Sequence, residues 1–101
     1  MIIVKRHRTP KDELMLALCD ENVQGKVFTE GKLQLDCSAD FYAGEACDRD
    51  AILDLLRMSV NANIVGHDAV ALAREAGVVD DENVKTIDGV PYAYVFTIDQ
   101  E

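Results

Sequence analysis

The chain has no tryptophan, only two prolines and no apolar run long enough to cross a membrane. A membrane-spanning helix needs about 18 or more consecutive apolar residues, so no membrane partner is expected. The apolar residues Met1 to Val4 precede the first basic residues, which is the reverse of the order in a secretory signal. These absences predict a cytoplasmic protein.

Cysteine is also scarce, and its spacing excludes two common metal and redox motifs. Cys19, Cys37 and Cys47 contain no Cys-x-x-Cys pair, so neither the zinc-ribbon nor the thioredoxin signature is present. The first two lie among apolar strand residues, where a free thiol behaves as a small buried hydrophobe. We expect reduced structural thiols and neither a metal nor a cofactor. A metal site that joins the thiols to His7 or His67 is the weaker alternative.

A recognisable catalytic set is missing as well. The two serines, Ser38 and Ser59, stand outside any Gly-x-Ser-x-Gly sequence. Neither of the glycine-rich phosphate-loop patterns occurs in the chain. Nucleophilic catalysis needs an activated side chain with a base beside it, and no pattern of that kind stands out. No catalytic residue is therefore assigned, and the sequence favours a protein that is not an enzyme.

Basic residues are few, since ten Lys and Arg stand against nineteen Asp and Glu, for a formal net charge of −9. Affinity for nucleic acid comes largely from cations that neutralise phosphates, so generic nucleic-acid binding is not expected. Four of the ten basic residues nevertheless fall within the first eleven positions, namely Lys5, Arg6, Arg8 and Lys11. The favoured interpretation is the solvated end of a strand. The alternative is a basic edge that contacts a protein or ribonucleoprotein partner, and these four are then the candidate partner-binding residues.

The remaining composition is that of an ordinary globular domain, with 49% apolar and 29% charged residues in 101 positions. This length suits one core, so residues 1–101 are predicted to form a single domain. Short apolar runs and alternating patterns predict strands. Leu14, Leu16 and Leu18 have apolar neighbours between them, which favours a central strand covered on both faces. The predicted strands are residues 2–8, 13–19, 27–28, 32–37, 84–87 and 92–98.

Helical spacing of apolar residues predicts two helices, at residues 49–58 and 67–76. Asp48 is the expected N-cap of the first helix, and Gly77 fits the left-handed position just beyond the second. Gly31 and the Asp88-Gly89 pair are expected to form tight hairpin turns. Together the elements predict an α+β fold, in which a mostly antiparallel sheet of five or six strands packs with two main helices.

Residues 61–66 are predicted to form a loop that leads into the start of the second helix, and residues 61–67 are therefore the candidate ligand site. Free N–H groups and the helix dipole favour an anion there, and Asn61, Asn63, Gly66 and His67 are the candidate ligand-binding residues. A phosphate or a carboxylate is the expected ligand class. The favoured interpretation is nevertheless that Asn63 and Gly66 only shape the connection between a strand and the helix, and the ligand site is the alternative.

The aromatic segment with Tyr92, Tyr94 and Phe96 is the strongest candidate for an interaction surface. With apolar side chains on both faces, it is either a central strand or an edge strand that a second subunit covers. Central placement is the prediction, and a homodimer is the alternative. No alternation of aromatic and basic residues along the chain resembles a base-stacking surface.

Several short blocks resemble a family of small conserved archaeal proteins, catalogued as domain of unknown function 424. The blocks are Gly25-Lys-Val-Phe28, Asp40-Phe-Tyr-Ala-Gly-Glu45, Ala62-Asn-Ile-Val-Gly66, the helical segment from Ala69 to Ala73, and Ile87-Asp-Gly-Val-Pro91. The resemblance implies an archaeal, cytoplasmic protein and suggests a link with translation. It supplies no activity and no catalytic residue. The aromatic segment after Pro91 is interpreted as an addition to the family pattern.

These observations lead to two functional hypotheses from different classes. The first is a non-enzymatic binding or accessory protein, associated with the translation or RNA machinery, whose partner is a protein, a ribonucleoprotein or a second copy of the chain. The second is an enzyme or sensor for a small anion or phosphate ligand, which would bind at residues 61–67.

Overall fold

A mixed six-stranded sheet is the centre of the computed structural model, which describes residues 1–38 and 40–96. Within these residues there are eight strands and two α-helices, and residues 40–42 and 81–83 each form one 3₁₀ turn. The strands are β1 (Ile2–Arg8), β2 (Leu14–Asp20), β3 (Val27–Glu30), β4 (Leu33–Asp36), β5 (Glu45–Cys47), β6 (Asn61–Val65), β7 (Lys85–Ile87) and β8 (Val90–Phe96). The helices are α1 (Arg49–Met58) and α2 (His67–Glu75). The predicted α+β class is confirmed.

The order of the main sheet is β5-β1-β2-β6-β8-β7, and β3 pairs with β4 as a separate hairpin. Strands β2 and β6 are parallel, while the other neighbouring pairs are antiparallel. A parallel pair needs a long crossover, and here the crossover carries β3, β4, β5 and α1. The prediction of a mostly antiparallel sheet is therefore confirmed, and so is the central position of the apolar strand β2.

The two faces of the sheet bury two different cores. Even-numbered residues of β2, such as Leu16 and Leu18, pack with Ile64 of β6 and with Ile52 and Leu56 of α1 in the larger core. Side chains alternate along a strand, so the odd-numbered residues face the other way. There the smaller core contains Ile3, Ala17, Cys19, Val65, Cys37 and Tyr42. The β3–β4 hairpin and the 3₁₀ turn at residues 40–42 cover part of this second face.

Both helices begin and end close to the predicted positions. Asp48 caps α1, because its Oδ1 accepts a hydrogen bond from the Ala51 N–H at 2.9 Å. Helix α2 ends with Ala76 at the C-cap, and Gly77 follows with a φ of +78°. That left-handed conformation costs glycine little, which explains why the helix stops there.

The hairpin turns also follow from local chemistry. Asp88 and Gly89 both have positive φ between β7 and β8, as a two-residue turn of the mirror-image type requires. Gly31 has a φ of +60° between β3 and β4. Strand β8 lies between β6 and β7 in the sheet order, so its predicted internal position is confirmed for Val90 to Tyr92, the residues that pair with β7. From Ala93 to Phe96 the strand pairs with β6 alone. The last two residues of the predicted strand, 97 and 98, lie outside the described residues.

Two elements differ from the sequence prediction. Residues 61–65, which were predicted to be part of a loop, form strand β6, although asparagine is depleted in strands. The segment is stabilised by two neighbouring strands rather than by its own propensity, since β6 pairs with both β2 and β8. Strand β5 was not predicted, because three residues are too few to establish an alternating pattern.

Candidate functional site

A carboxylate from another element fixes the start of α2. Asp20 is the last residue of β2, and its side chain is buried, with 5% exposure. Its Oδ2 accepts a hydrogen bond from the Asp68 N–H at 3.0 Å, and its Oδ1 accepts one from the Ala69 N–H at 2.7 Å. The first N–H groups of a helix lack partners within the helix, and the helix dipole favours an anion beside them. Asp20 supplies that anion from within the chain.

Gly66 makes this close approach geometrically feasible. It has a φ of +111°, a backbone conformation that residues with a β-carbon rarely adopt. A β-carbon at this position would also overlap the carboxylate of Asp20. The glycine therefore lets strand β6 turn into α2 directly against Asp20.

The residues of the predicted ligand site separate into two groups. Gly66 and His67 lie at the start of α2, where His67 is exposed to solvent. Asn61 and Asn63 lie half-buried in β6, with side chains on the face that is opposite the helices. Alternation along the strand causes this separation, because Ala62 and Ile64 occupy the helix-facing positions. The four predicted residues do not converge on one point.

The four predicted partner-binding residues also divide. On β1, Lys5 points to the same face as Ile3, while Arg6 and Arg8 point to the opposite face with Val4. Arg8 lies 4.0 Å from the exposed carboxylate of Asp12 in the following turn, and Lys11 is exposed in that turn. The basic residues thus line the first strand on two sides, and alternation prevents them from forming a single row.

Cys19, Cys37 and Tyr42 meet in the smaller core. Burial is the main cause that raises the pKa of Cys19 to about 12, with smaller contributions from Cys37 and Asp20. Burial, together with nearby Asp36, raises the pKa of Cys37 to about 11. The pKa of the Tyr42 hydroxyl is raised as well, mainly by burial. These groups therefore stay protonated near neutral pH, and the thiols are free, as the sequence predicted.

The second face of the sheet has a part that neither the hairpin nor the 3₁₀ turn buries. The strand registers bring together Met15 of β2, Asn61 and Asn63 of β6, and Tyr94 and Phe96 of β8. Met15 and the two asparagines are half-buried, whereas Tyr94 is 54% and Phe96 64% exposed. We call these five residues the open face.

The two aromatic rings of the open face contact each other. Tyr94 and Phe96 are two residues apart on β8, so both side chains point the same way. Their centroids are 5.7 Å apart, with planes at 68°, which is an edge-to-face arrangement. Asn63 is the cross-strand partner of Tyr94, and Asn61 is that of Phe96, so each ring stands beside an amide.

One polar atom of the open face lacks a partner. Oδ1 of Asn61 is buried and has no hydrogen-bond partner among the described residues. A buried acceptor without a donor costs about 1–3 kcal/mol, so such atoms are uncommon in folded proteins. Asn61 as a whole is only half-buried, but an outside donor could reach this buried oxygen only after the side-chain amide turned toward the surface of the sheet. With that rotation, the atom would be a candidate acceptor for a donor from outside the chain.

Other side chains border the open face on both sides. His7 of β1 is the cross-strand partner of Met15. Its ring stacks on Phe41 with centroids 4.4 Å apart, and its Nε2–H donates to the Phe41 carbonyl at 3.0 Å. Lys5 and Lys85 lie on the same face of the sheet, on β1 and β7, because their cross-strand partners are Ala17 and Tyr92. The open face is thus flanked by one lysine on either side.

A separate groove of about 420 Å³ lies where the start of α1 meets α2. Ile2, Ile52 and Leu72 form its apolar floor, and an exposed ion pair between Arg49 and Glu75 stands at its rim. Exposed ion pairs of this kind contribute little to stability. None of these residues belongs to either predicted site.

The described residues contain neither a cluster of metal ligands nor a helix that could span a membrane. No three His, Cys, Asp or Glu side chains among them gather closely enough to hold a metal ion. None of the helices in that part of the chain is long and apolar enough to span a bilayer.

The fold defines a small α+β domain in which a mixed sheet carries helices on one face and a hairpin on the other. The family model described as "Protein of unknown function (DUF424)" matches residues 7–98, so the chain belongs to this family. The resemblance inferred from the sequence blocks is confirmed. The match extends beyond Pro91, so the aromatic strand is not an addition to the family pattern.

A solved structure has the same fold. The crystal structure of an uncharacterized conserved protein from Methanopyrus kandleri aligns with a TM-score of 0.81 and 25% sequence identity. The alignment covers 99% of this chain and 94% of that chain. No curated protein sequence matches the chain. The comparisons therefore establish the family and the fold.

Sequence reasoning missed the two main features of the site. Asp20 was assigned no role, because its hydrogen-bond partners in α2 lie 48 and 49 positions further along the chain. The open face was missed because its residues come from three strands whose order was unknown. An exposed aromatic strand and a strand with two asparagines were both visible in the sequence, but nothing local showed that they are neighbours.

Proposed function

We propose that the protein is a non-enzymatic accessory module that binds a protein or ribonucleoprotein partner through the open face. The observation that carries this proposal is the pair of exposed rings, Tyr94 and Phe96, beside half-buried amides on a face that is otherwise covered. Large exposed aromatic side chains are costly to leave in water and are enriched where proteins bind partners. The RNA machinery is the proposed setting, because a link with translation was the expectation drawn from the sequence resemblance.

The roles of the titratable groups support a binding function. The buried carboxylate of Asp20 caps a helix, and the ring of His7 is held by stacking and by a backbone hydrogen bond. The raised pKa values of Cys19 and Cys37 keep both thiols protonated, which makes them poor nucleophiles near neutral pH. Each of these reactive side-chain types therefore has a structural role that accounts for its position.

The alternative, an enzyme or sensor that binds a small anion at the start of α2, has less support. An outside anion would have to displace Asp20 from the amides of Asp68 and Ala69, with bonds of 3.0 and 2.7 Å. A thermal-shift screen with phosphate, nucleotides and carboxylates tests this alternative. A stabilisation that disappears in His67→Ala would favour it over the accessory role.

Affinity capture from an archaeal cell extract tests the proposal. The immobilised wild-type protein is compared with a Tyr94→Ser/Phe96→Ser double variant and with Met58→Ser, a control whose apolar side chain is 62% exposed on α1. We expect the wild type and the control to retain the same partner, and the double variant to lose it. Circular dichroism checks that all three are folded.

Retention of the same partner by the double variant would refute the proposal that the open face is the contact. A further variant, Lys5→Ala/Arg6→Ala, separates the basic strand from the aromatic strand. If that variant alone loses the partner, the first strand is the binding element instead.

A further inference from the structure

We propose that the open face binds unpaired bases of a single-stranded nucleic acid, which stack on Tyr94 and Phe96 and form hydrogen bonds with Asn61 and Asn63. This inference rests on the proposed function, because it names the class of partner for the same face. The chemical features of the face, namely rings, amides and flanking lysines, suit the face of a base, the edge of a base and the phosphates.

The rings provide stacking surfaces. Sequence-tolerant single-strand binding relies on aromatic side chains, because every base has a π-face. Four-stranded RNA-binding sheets stack two or three bases on exposed aromatic residues of adjacent strands. Tyr94 and Phe96 are more than half exposed and meet edge to face, so they do not stack on each other.

The amides provide recognition of base edges. An asparagine side chain can pair with adenine in two places, since its carbonyl accepts from N6 and its amino group donates to N7. Once its amide turns outward, the unpaired Oδ1 of Asn61 can accept from the exocyclic amino group of adenine. Uracil offers a donor only at N3–H and has a smaller ring to stack, so the face should prefer adenine-rich over uracil-rich strands.

The charges limit and orient the contact. Lys5 and Lys85 lie on the face of the sheet that carries the rings, and each can meet one phosphate. The net charge of −9 opposes further phosphate contacts. Two phosphate contacts on a single strand predict a slope of about −1.4 for log K against log salt, because each contributes about −0.7. A duplex, whose bases are already stacked and paired, should bind poorly.

Fluorescence anisotropy with labelled oligoadenylate and oligouridylate RNA of equal length tests the inference. The full chain is compared with Tyr94→Leu and Phe96→Leu, which keep an apolar side chain but remove the ring, and with Met58→Leu as the matched control. We expect each ring variant to bind oligoadenylate roughly five- to hundredfold more weakly than the wild type, with Met58→Leu unchanged. Oligouridylate should bind more weakly than oligoadenylate, and a duplex of the same length more weakly still.

Three results would overturn the inference. The first is the absence of saturable binding to either single strand, and the second is equal binding by the ring variants and the wild type. The third is a steep salt slope of about −3 or beyond, which would assign the contact to phosphates elsewhere on the chain.

The extract capture distinguishes failure of this inference from failure of the proposed function. If the double aromatic variant loses its captured partner but no RNA binds, the partner is a protein, and only the nucleic-acid inference fails. Sedimentation of the wild type and the ring variants tests whether a second copy of the chain, and not RNA, binds to the open face. Self-association that requires both rings, without RNA binding, would also overturn the inference.

Discussion

Truncation of the Asp20 side chain is expected to destabilise the protein more than the loss of an ordinary helix cap. Asp20→Ala removes two hydrogen bonds from the first turn of α2, at 3.0 and 2.7 Å, and leaves the N–H of buried Ala69 without its partner. A hydrogen bond to a charged group contributes about 1.5–3 kcal/mol, and removal of the carboxylate relieves part of its own desolvation cost. We therefore expect a loss of about 3 kcal/mol, a large fraction of a typical total of roughly 5–15 kcal/mol.

Urea unfolding followed by circular dichroism measures this loss, with Asp48→Ala as the matched control. Asp48 caps α1 through one hydrogen bond of 2.9 Å and is exposed, so its truncation should cost about 1 kcal/mol. Asp20→Asn should fall between the two, because its amide keeps one accepting oxygen and loses the charge. If Asp20→Ala costs no more than Asp48→Ala, burial does not strengthen the cap and the reasoning is refuted.

A double-mutant cycle tests the geometric coupling between Asp20 and Gly66. Gly66→Ala should be destabilising for two reasons, since its φ is +111° and its new β-carbon would overlap the Asp20 carboxylate. In the Asp20→Ala background only the backbone strain remains. The change in the free energy of unfolding of the double variant should therefore differ from the sum of the two single changes by more than about 1 kcal/mol. For distant sites, the two values agree to within roughly 0.5 kcal/mol.

Two further predictions concern the thiols and a close backbone contact. Because the pKa of Cys19 rises from 9.0 to about 12 on burial, the folded protein keeps a proton that the unfolded chain releases above about pH 9. Cys19 should then contribute a fall in the free energy of unfolding of about 1.4 kcal/mol per pH unit above pH 9, in addition to a fall from Cys37, whose pKa is also raised. Cys19→Ala should remove the Cys19 part of this fall in urea titrations under reducing conditions; an unchanged slope would contradict the assignment. Gly44→Ala should destabilise the protein by roughly 1–3 kcal/mol, because a β-carbon there would overlap the Val4 carbonyl. Native-state hydrogen exchange should report faster exchange in β1 and β5, and wild-type protection would count against this contact.

The elements that the sequence predicted well are those whose signals are local. Helix α1 has its capping Asp48 and its apolar spacing within a dozen residues, and both of its ends were predicted. The β7–β8 hairpin is specified by Asp88 and Gly89, whose positive φ values set the turn. The apolar residues of β2 indicated a strand covered on both faces without any knowledge of its neighbours.

The features that the sequence could not predict depend on distant pairing. The cap of α2 joins Asp20 to Asp68, 48 positions apart, and no local pattern indicates that contact. Strand β6 contains two asparagines, and its position is stabilised by pairing with β2 and β8. The predicted ligand residues Asn61 and Asn63 were chosen for a helix-terminal loop. Strand alternation instead turns both toward the opposite face, beside Tyr94.

Asn61 connects stability and binding in a way that one substitution can test. Its buried Oδ1 has no donor among the described residues, which costs the free protein about 1–3 kcal/mol. Asn61→Val removes that oxygen and introduces a side chain with high strand propensity, so the free protein should become more stable by about 1 kcal/mol. If the oxygen serves to accept a hydrogen bond from an adenine base, the same variant should bind oligoadenylate more weakly despite its greater stability.

Asn63→Val is the control for this test, because no buried unpaired atom of Asn63 exists within the described part of the chain. It should therefore gain less stability than Asn61→Val. A loss of stability in Asn61→Val would mean that the amide oxygen already accepts a hydrogen bond in the free protein. Its proposed role as an acceptor for a base would then be refuted. A gain in stability with unchanged RNA binding would mean that the oxygen is unpaired for a reason unrelated to bases.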